Sequence, residues 1–256
     1  MAKRAIVTGA ASGIGAATAA RLTAEGWNVI GVDRRPIPNY VVQSIEADLG
    51  DAASIDAAAA AIDGPIQALC NVAGVPPTAG AVATMKVNFF GLRLLTERLL
   101  PKLADGASIV NVASLAGAGW PKAIERTKRL VADGGLHNVE AMIAAEGVTD
   151  ENCYFVSKEC LIVWTLQSWR RWRERRLRMN AVSPGPVATP IHKDFLATLG
   201  ERAARDQERS DRPADPEEIA PVIVFLCREE SAWVRATNLA VDDGMFAAAQ
   251  QDEFGF

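Results

Sequence analysis

Three glycines, Gly9, Gly13 and Gly15, follow the short apolar run Arg4 to Thr8 and open directly into a helical period from Gly13 to Glu25. A strand that turns this tightly into a helix uses one glycine for the turn, one for backbone approach to a ligand and one for close packing of helix on strand. The first turn of such a helix aims free N–H groups at an anion, and a pyrophosphate fits that seat. Asp33 ends the next strand-like run, 18 residues past Gly15, where a carboxylate can accept both hydroxyls of an adenosine ribose. Gly9, Ser12, Gly13, Ile14, Gly15 and Asp33 are therefore candidate cofactor-binding residues. The charge of Asp33 repels a 2′-phosphate and favours NAD over NADP. Arg34, directly after it, can embrace that phosphate and keeps NADP open, although Ser12 stands where a base would normally assist.

The same alternation runs along the rest of the chain. Arg4 to Thr8, Trp27 to Asp33, Gln43 to Asp48, Ile66 to Ala73, Ser108 to Ser114, Arg178 to Ser183 and Thr237 to Asp242 read as strands. Helical periods cover Gly13 to Glu25, Ser54 to Ile62, Thr84 to Leu103, Tyr154 to Arg176 and Pro216 to Cys227. Repeated strand–helix–strand units predict an α/β fold of Rossmann type, a doubly wound parallel seven-stranded sheet with helices on both faces and a ligand crevice at the carboxyl ends of its strands. No repeat or flexible linker divides the chain, so residues 1–256 are expected to form a single domain. A helical insert at about 116–153 and a substrate loop at about 191–215 stand outside the alternation, both after strand ends.

Composition narrows the function classes. With 256 residues, 49% of them hydrophobic, the chain can bury a substantial core. No uncharged apolar stretch approaches the roughly 18 residues of a membrane helix, and Met1-Ala2-Lys3-Arg4 leads straight into a strand rather than a signal peptide, so a cytoplasmic location without membrane contact is expected. The net charge of −4 argues against nucleic acid as a partner. Six arginines between Arg170 and Arg178 read as a solvated helix end favoured by the helix dipole. Cys70, Cys153, Cys160 and Cys227 lack any C-x-x-C pairing and His137 and His192 are far apart, so the cysteines read as packing and no metal site is expected.

Tyr154 and Lys158 are four apart on one predicted helix, so both reach from one face. A phenol of ordinary pKa about 10 is a poor base at neutral pH, and a nearby ammonium lowers it by favouring the phenolate. Ser114 ends a predicted strand, where its hydroxyl can hydrogen-bond a reacting oxygen. Asn88 sits inside a helical period, where asparagine competes with the backbone for hydrogen bonds.

The ordered motifs Thr8 to Gly15, Asp48-Leu49, Asn71-Val72-Ala73-Gly74, Asn88, Ser114, Tyr154-x-x-x-Lys158 and Pro184-Gly185 resemble the short-chain dehydrogenases/reductases over essentially the whole chain. The likeness is greatest to the branch holding bacterial coniferyl-alcohol dehydrogenases and 3α-hydroxysteroid dehydrogenase/carbonyl reductases. It rests on the long gap from Ser114 to Tyr154, Ala68 to Pro76, Leu161 to Trp164, Pro184 to Pro190 and Phe225 to Ser231. The resemblance implies an NAD-dependent oxidoreductase interconverting a bulky hydrophobic or aromatic alcohol and its carbonyl compound. Tyr154 would take the hydroxyl proton, Ser114 orient the oxygen, Lys158 lower the tyrosine pKa and hold the ribose, and Asn88 hold a relay water. Asp48 and Leu49 would flank adenine, Asn71, Ala73 and Gly74 line the adenosine ribose, and Pro184, Gly185, Val187 and Thr189 border the nicotinamide. Ala113 stands where many relatives have a second serine, and Asp242-Asp243-Gly244 replaces the usual Asp-Gly-Gly in a turn expected outside the active site. A nucleotide-sensing protein without catalysis is the rival reading, which the intact Ser114, Tyr154 and Lys158 set disfavours.

Between Ser114 and Tyr154 lie 39 residues, where many relatives have about a dozen by resemblance. Ile124, Thr127, Leu130 and Val131 form one apolar face, Asp133-Gly134-Gly135 breaks it, and Leu136, Val139, Met142 and Ile143 form another. Cys160 to Trp164 is apolar all round, more than a sheet can bury from one side. The insert is expected to cap that helix, narrow one wall of the crevice and leave a homodimer formed elsewhere.

Overall fold

The structure, a computed structural model, describes residues 2–132, 135–191, 194 and 209–256. Most of the expected substrate loop, including His192, and the break at Asp133-Gly134 lie outside the described residues. Strands β1 (Arg4–Thr8), β2 (Asn28–Asp33), β3 (Gln43–Glu46), β4 (Ile66–Asn71), β5 (Leu103–Val112), β6 (Arg178–Pro184) and β7 (Asn238–Val241) pair in the order β3-β2-β1-β4-β5-β6-β7. All six pairings are parallel. The chain order reverses between β1 and β4, the switch point beside which open α/β sheets bind ligands.

The helices among the described residues are α1 (Gly13–Ala24), α2 (Ala52–Ala60), α3 (Ala81–Met85), α4 (Leu92–Leu99), α5 (Ile124–Ala132), α6 (Val139–Ala145), α7 (Cys153–Gln167), α8 (Pro216–Cys227) and α9 (Met245–Phe254). Successive strand residues point to opposite faces. Ile6, Ile30, Leu69 and Ile109 thus enter one buried cluster with α2, α4 and α7, while Ala5, Val29, Ala68 and Val110 enter a second with α1 and α8. All four cysteines are buried thiols, and Cys70 and Cys227 approach to 3.4 Å inside the second cluster.

Four elements differ from the sequence expectation. The period from Thr84 to Leu103 divides into α3, a π-helical turn (Lys86–Gly91) and α4. β5 begins at Leu103, five residues early, because its start pairs with Ile66 across a register shift. The helix expected from Tyr154 to Arg176 stops at Gln167, and Trp172 and Arg176 take φ of 55° and 54°, in the left-handed region that ends a helix. The arginines after it are accordingly not all solvated: Arg175 bonds Asp105 and the Leu100 carbonyl, and buried Arg178 donates to the carbonyls of Leu226, Arg228 and Ser231, tying β6 to α8. Lastly, α9 follows β7, where no helix was expected.

The apolar middle of α7, Cys160 to Trp164, is buried within the chain. Helix α5 of the insert lies on it, and Arg126 of α5 reaches Glu159 at 2.8 Å, a carboxylate whose side chain is only 8% exposed. Arg93 of α4 donates to the Val131 carbonyl, and Lys86 pairs with Glu140 of α6 at 2.9 Å, so the insert is pinned on three sides. Among the described residues no helix is long and apolar enough to cross a membrane.

Candidate active site

A cleft of about 1510 Å³ opens at the carboxyl ends of the strands. Its floor at the β1 end is the glycine turn. A Cβ on Gly15 would lie 2.1 Å from the Gly9 carbonyl oxygen, so only glycine lets α1 start this close to the strand. Ser12, the N-cap of α1, makes no side-chain cap, which leaves the first-turn N–H groups without a partner from that side chain. The turn is held from outside: Tyr40 Oη donates to the Ala10 carbonyl at 2.5 Å, and Ala11 N donates to Asp33 Oδ2 at 3.0 Å. Thr8 Oγ1 accepts from the amides of Val72 and Ala73, fixing the end of β4 beside it.

Asp33 is buried at the cleft edge. Arg35, and not the expected Arg34, is the cation that meets it. The Arg35 amide donates to Asp33 Oδ1 at 2.9 Å, and this turn carries the guanidinium back to within 3.7 Å of the same oxygen and 2.6 Å of Ser12 Oγ. The sequence reading missed Arg35 because the local turn, and not distance along the chain, decides which of two adjacent arginines folds back.

Ser114 lies two residues past β5 as N-cap of the 3-10 turn Leu115–Gly119, with Oγ accepting from Ala116 N at 3.1 Å. That turn lies directly on α7: a Cβ on Gly117 would stand 2.8 Å from the Lys158 carbonyl oxygen. Close approach brings Ser114 to hydrogen-bond the Tyr154 phenol. Burial pushes that phenol up to about 12, and the Ser114 bond opposes the rise. The Lys158 ammonium donates to the Val112 carbonyl at 2.9 Å and sits 5.6 Å from the Tyr154 ring centre, and burial pushes it down to about 8. The expected lowering of the tyrosine by Lys158 is thus outweighed by desolvation.

Of the sequence-predicted residues, Gly9, Ser12, Gly13, Ile14, Gly15, Asp33, Asp48, Leu49, Ala73, Gly74, Ser114, Tyr154, Lys158, Pro184, Gly185, Val187 and Thr189 line this one cleft. Asn71 and Asn88 do not. Register places Asn71 beside Asn111, and its side-chain amide donates to Asn111 Oδ1 at 2.9 Å and Thr96 Oγ1 at 3.0 Å inside the core. Asn88, in the π-helical turn, uses its side chain on both backbone groups of Val75, at 2.8 and 3.0 Å. It shapes the cleft wall from behind. A further correction concerns the Asp242-Asp243-Gly244 turn: a Cβ on Gly185 would meet Asp242 at 3.2 Å and Met245 Sδ at 3.3 Å, so this turn adjoins the cleft.

A parallel sheet with a glycine turn, an acid at the end of β2 and a Ser/Tyr/Lys cluster defines a dinucleotide-dependent oxidoreductase. The chain matches the short chain dehydrogenase family over residues 3–124 and the family described as enoyl-(acyl carrier protein) reductase over residues 121–246. It is 43% identical over 246 residues to the coniferyl-alcohol dehydrogenase of a Pseudomonas species (strain HR199), covering 95% of this chain and 96% of that one. It is 27% identical to the 3-alpha-hydroxysteroid dehydrogenase/carbonyl reductase of Comamonas testosteroni, covering 97% and 98%. The crystal structure of the 3-alpha-hydroxysteroid dehydrogenase from Pseudomonas sp. B-0831 complexed with NADH superposes with a TM-score of 0.83 at 28% identity, covering 97% of this chain and 98% of that one. The chain belongs to the short-chain dehydrogenase/reductase family and is an oxidoreductase.

Proposed function

We propose that this oxidoreductase is an NAD-dependent alcohol dehydrogenase acting reversibly on a bulky hydrophobic or aromatic alcohol, with coniferyl alcohol the favoured substrate. The observation that carries the reading is the half-buried Tyr154, its phenol hydrogen-bonded to Ser114 and its ring centre 5.6 Å from the Lys158 ammonium, in a large cleft. The 43% identity to a coniferyl-alcohol dehydrogenase supports the substrate class.

The cleft fits a dinucleotide. The uncapped first turn of α1 offers N–H groups to a pyrophosphate, and Asp33 keeps carboxylate lone pairs for ribose hydroxyls. Gly9, Gly13, Ile14 and Gly15 would hold the phosphates, Asp48, Leu49, Ala73 and Gly74 the adenosine, and Gly185, Val187 and Thr189 the nicotinamide. NAD is favoured because Asp33 is buried and fixed, while Arg35 is already engaged with Ser12 and Asp33. When bound, the dinucleotide supplies the hydride acceptor in oxidation and the donor in reduction.

Tyr154 Oη takes the alcohol proton in oxidation and returns it in reduction, and Ser114 Oγ holds the substrate oxygen against it. Lys158 Nζ, already oriented by Val112, holds the ribose and presents positive charge to the phenolate as it forms. Asn88, fixed by Val75, positions the relay water behind Lys158. The enzyme works in the cytoplasm as a homodimer whose interface lies away from α7, since α5 covers the apolar middle of that helix.

A panel of cinnamyl, benzyl and steroid alcohols and their carbonyl compounds, followed by nicotinamide absorbance with NAD and NADP, tests the reading. Turnover of cinnamyl-type alcohols with NAD is expected. Preference for steroid alcohols would move the substrate to the 3α-hydroxysteroid class, and NAD binding without any turnover would favour a nucleotide sensor instead.

A further inference from the structure

Helix α9 has ten residues, of which only Met245 is buried. A helix so little packed would fray unless something else holds it. Its start is fixed by Asp242, whose carboxylate accepts from Gly244 N at 3.1 Å and Phe246 N at 2.8 Å. Its far end is tied on two sides: Glu253 pairs with Lys122, in the insert, at 2.7 Å, and Asp252 pairs with Arg209, in the 191–215 segment. Between these ties the face carrying Met245, Phe246 and Ala249 lines the same cleft as Tyr154 and Ser114.

The turn before the helix carries the same signature. Asp243 has φ of 55°, a left-handed conformation that glycine adopts without strain and aspartate only at a cost. Its carboxylate accepts the Ser210 hydroxyl at 3.3 Å. A glycine at this position would relieve the backbone and lose that link.

We propose that α9 is the third wall of the substrate end of the cleft, a hinged closure on which Phe246 and Met245 set how bulky an alcohol is accepted. Asp243, Lys122 and Glu253 are its positioning residues. The inference rests on the Ser114/Tyr154 end of the cleft being the substrate end and is independent of which alcohol is natural. Exposed ion pairs stabilise weakly and are screened by salt, so the helix is poised to open for entry and release.

Two measurements test this on the protein. Hydrogen exchange of amides 245–254 needs no substrate. Lys122→Glu, at a position 78% exposed and so harmless to folding, should speed that exchange about two- to fivefold, the range an exposed ion pair supports. The charge-exchanged double variant Lys122→Glu/Glu253→Lys should restore it. Steady-state kinetics then separate KM from kcat: Phe246→Ala should raise KM for the bulkiest alcohol accepted by about fivefold or more, the loss of one aromatic contact, while a short alcohol and the dinucleotide Kd change less than twofold. Exchange in 245–254 that ignores Lys122→Glu would overturn the closure. A Phe246→Ala enzyme with unchanged KM across alcohols of every size would overturn the wall. If no aromatic alcohol is turned over, the substrate assignment fails alone, and the exchange arm still decides the closure.

Discussion

Replacing Lys158 with methionine should abolish turnover and at the same time stabilise the unliganded fold. The ammonium is buried, and its pKa falls from the ordinary 10.5 to about 8 because the charged form is desolvated. That fall corresponds to about 3 kcal/mol by which charged Lys158 weakens the native state. Methionine has similar length and no charge, so it removes this cost but forfeits the bond to the Val112 carbonyl, worth about 1.5 kcal/mol for a charged donor. A net gain of about 1 to 2 kcal/mol is expected at pH 7. The pH dependence has a fixed sign. Below pH 8 the lysine is charged in both states and folding carries the whole cost. Between pH 8 and about 10.5 the folded chain gives up its proton while the unfolded chain keeps it, so the cost drains away and the wild type gains on the variant. Urea midpoints of both proteins at pH 7, 8.5 and 10 measure the gap directly, since other titrations are common to both. A methionine variant less stable than wild type at pH 7, or a gap that does not narrow toward pH 10, would refute the reasoning.

Tyr154→Phe should lower kcat by about a thousandfold, the scale of a lost general acid–base group, while dinucleotide Kd stays within twofold; a loss of only a few-fold sinks the assignment. Because the Tyr154 phenol is held near 12 while Lys158 gives up its proton near 8, wild-type kcat/KM for alcohol oxidation should climb steeply from pH 6 to 8 as the phenolate fraction rises and level off above pH 8 as the neighbouring ammonium is lost, and a flat profile below pH 8 would count against it. Asp33→Ala should shift the NADP:NAD ratio of kcat/KM at least about tenfold, roughly 1.4 kcal/mol, by freeing Arg35 from its carboxylate; a wild type already preferring NADP would show that the arginines prevail. Arg126→Met should destabilise by about 2 kcal/mol, less than a fully buried pair because Arg126 is 26% exposed, and Arg126→Met/Glu159→Gln should recover most of it in the same urea titrations. Light scattering at moderate salt should give a dimer, and a stable tetramer would contradict the covering of α7 by the insert.

The inner strands β1, β2, β4, β5 and β6 were legible because they are largely buried on both faces and read as short β-branched or apolar runs, with the glycine turn and Asp33 marking the order of the first two. Tyr154, Lys158 and Ser114 were legible as a spacing and a strand end. What escaped depended on contacts remote in sequence. The π-helical turn at Lys86–Gly91 forms where Gly91 must meet the Leu49 carbonyl, a contact no helical period encodes. The early end of α7 lies in the 3-10 turn Ser168–Arg170 and the extended backbone of Arg171 that follow it, and Trp172 and Arg176 then take left-handed φ, none of which their chemistry announces. Asn71 turned inward because strand register set it beside Asn111. Helix α9 left a signal that could have been read, since Gly244 followed by Met245-Phe246-Ala247-Ala248-Ala249 pairs a start residue with strong helix formers.

Of the two tyrosines in the chain, Tyr40 does no chemistry, yet its hydroxyl on the Ala10 carbonyl has a kinetic consequence. Together with Asp33 on Ala11 and Thr8 on Val72 and Ala73, it leaves the glycine turn nothing to rearrange when a ligand arrives. A seat assembled in advance exacts no population penalty from the ligand, so the apparent affinity equals the intrinsic one. Dinucleotide association should therefore be a single diffusive event, its rate rising linearly with concentration without saturating, and Tyr40→Phe should introduce a slow second phase before it measurably weakens the equilibrium.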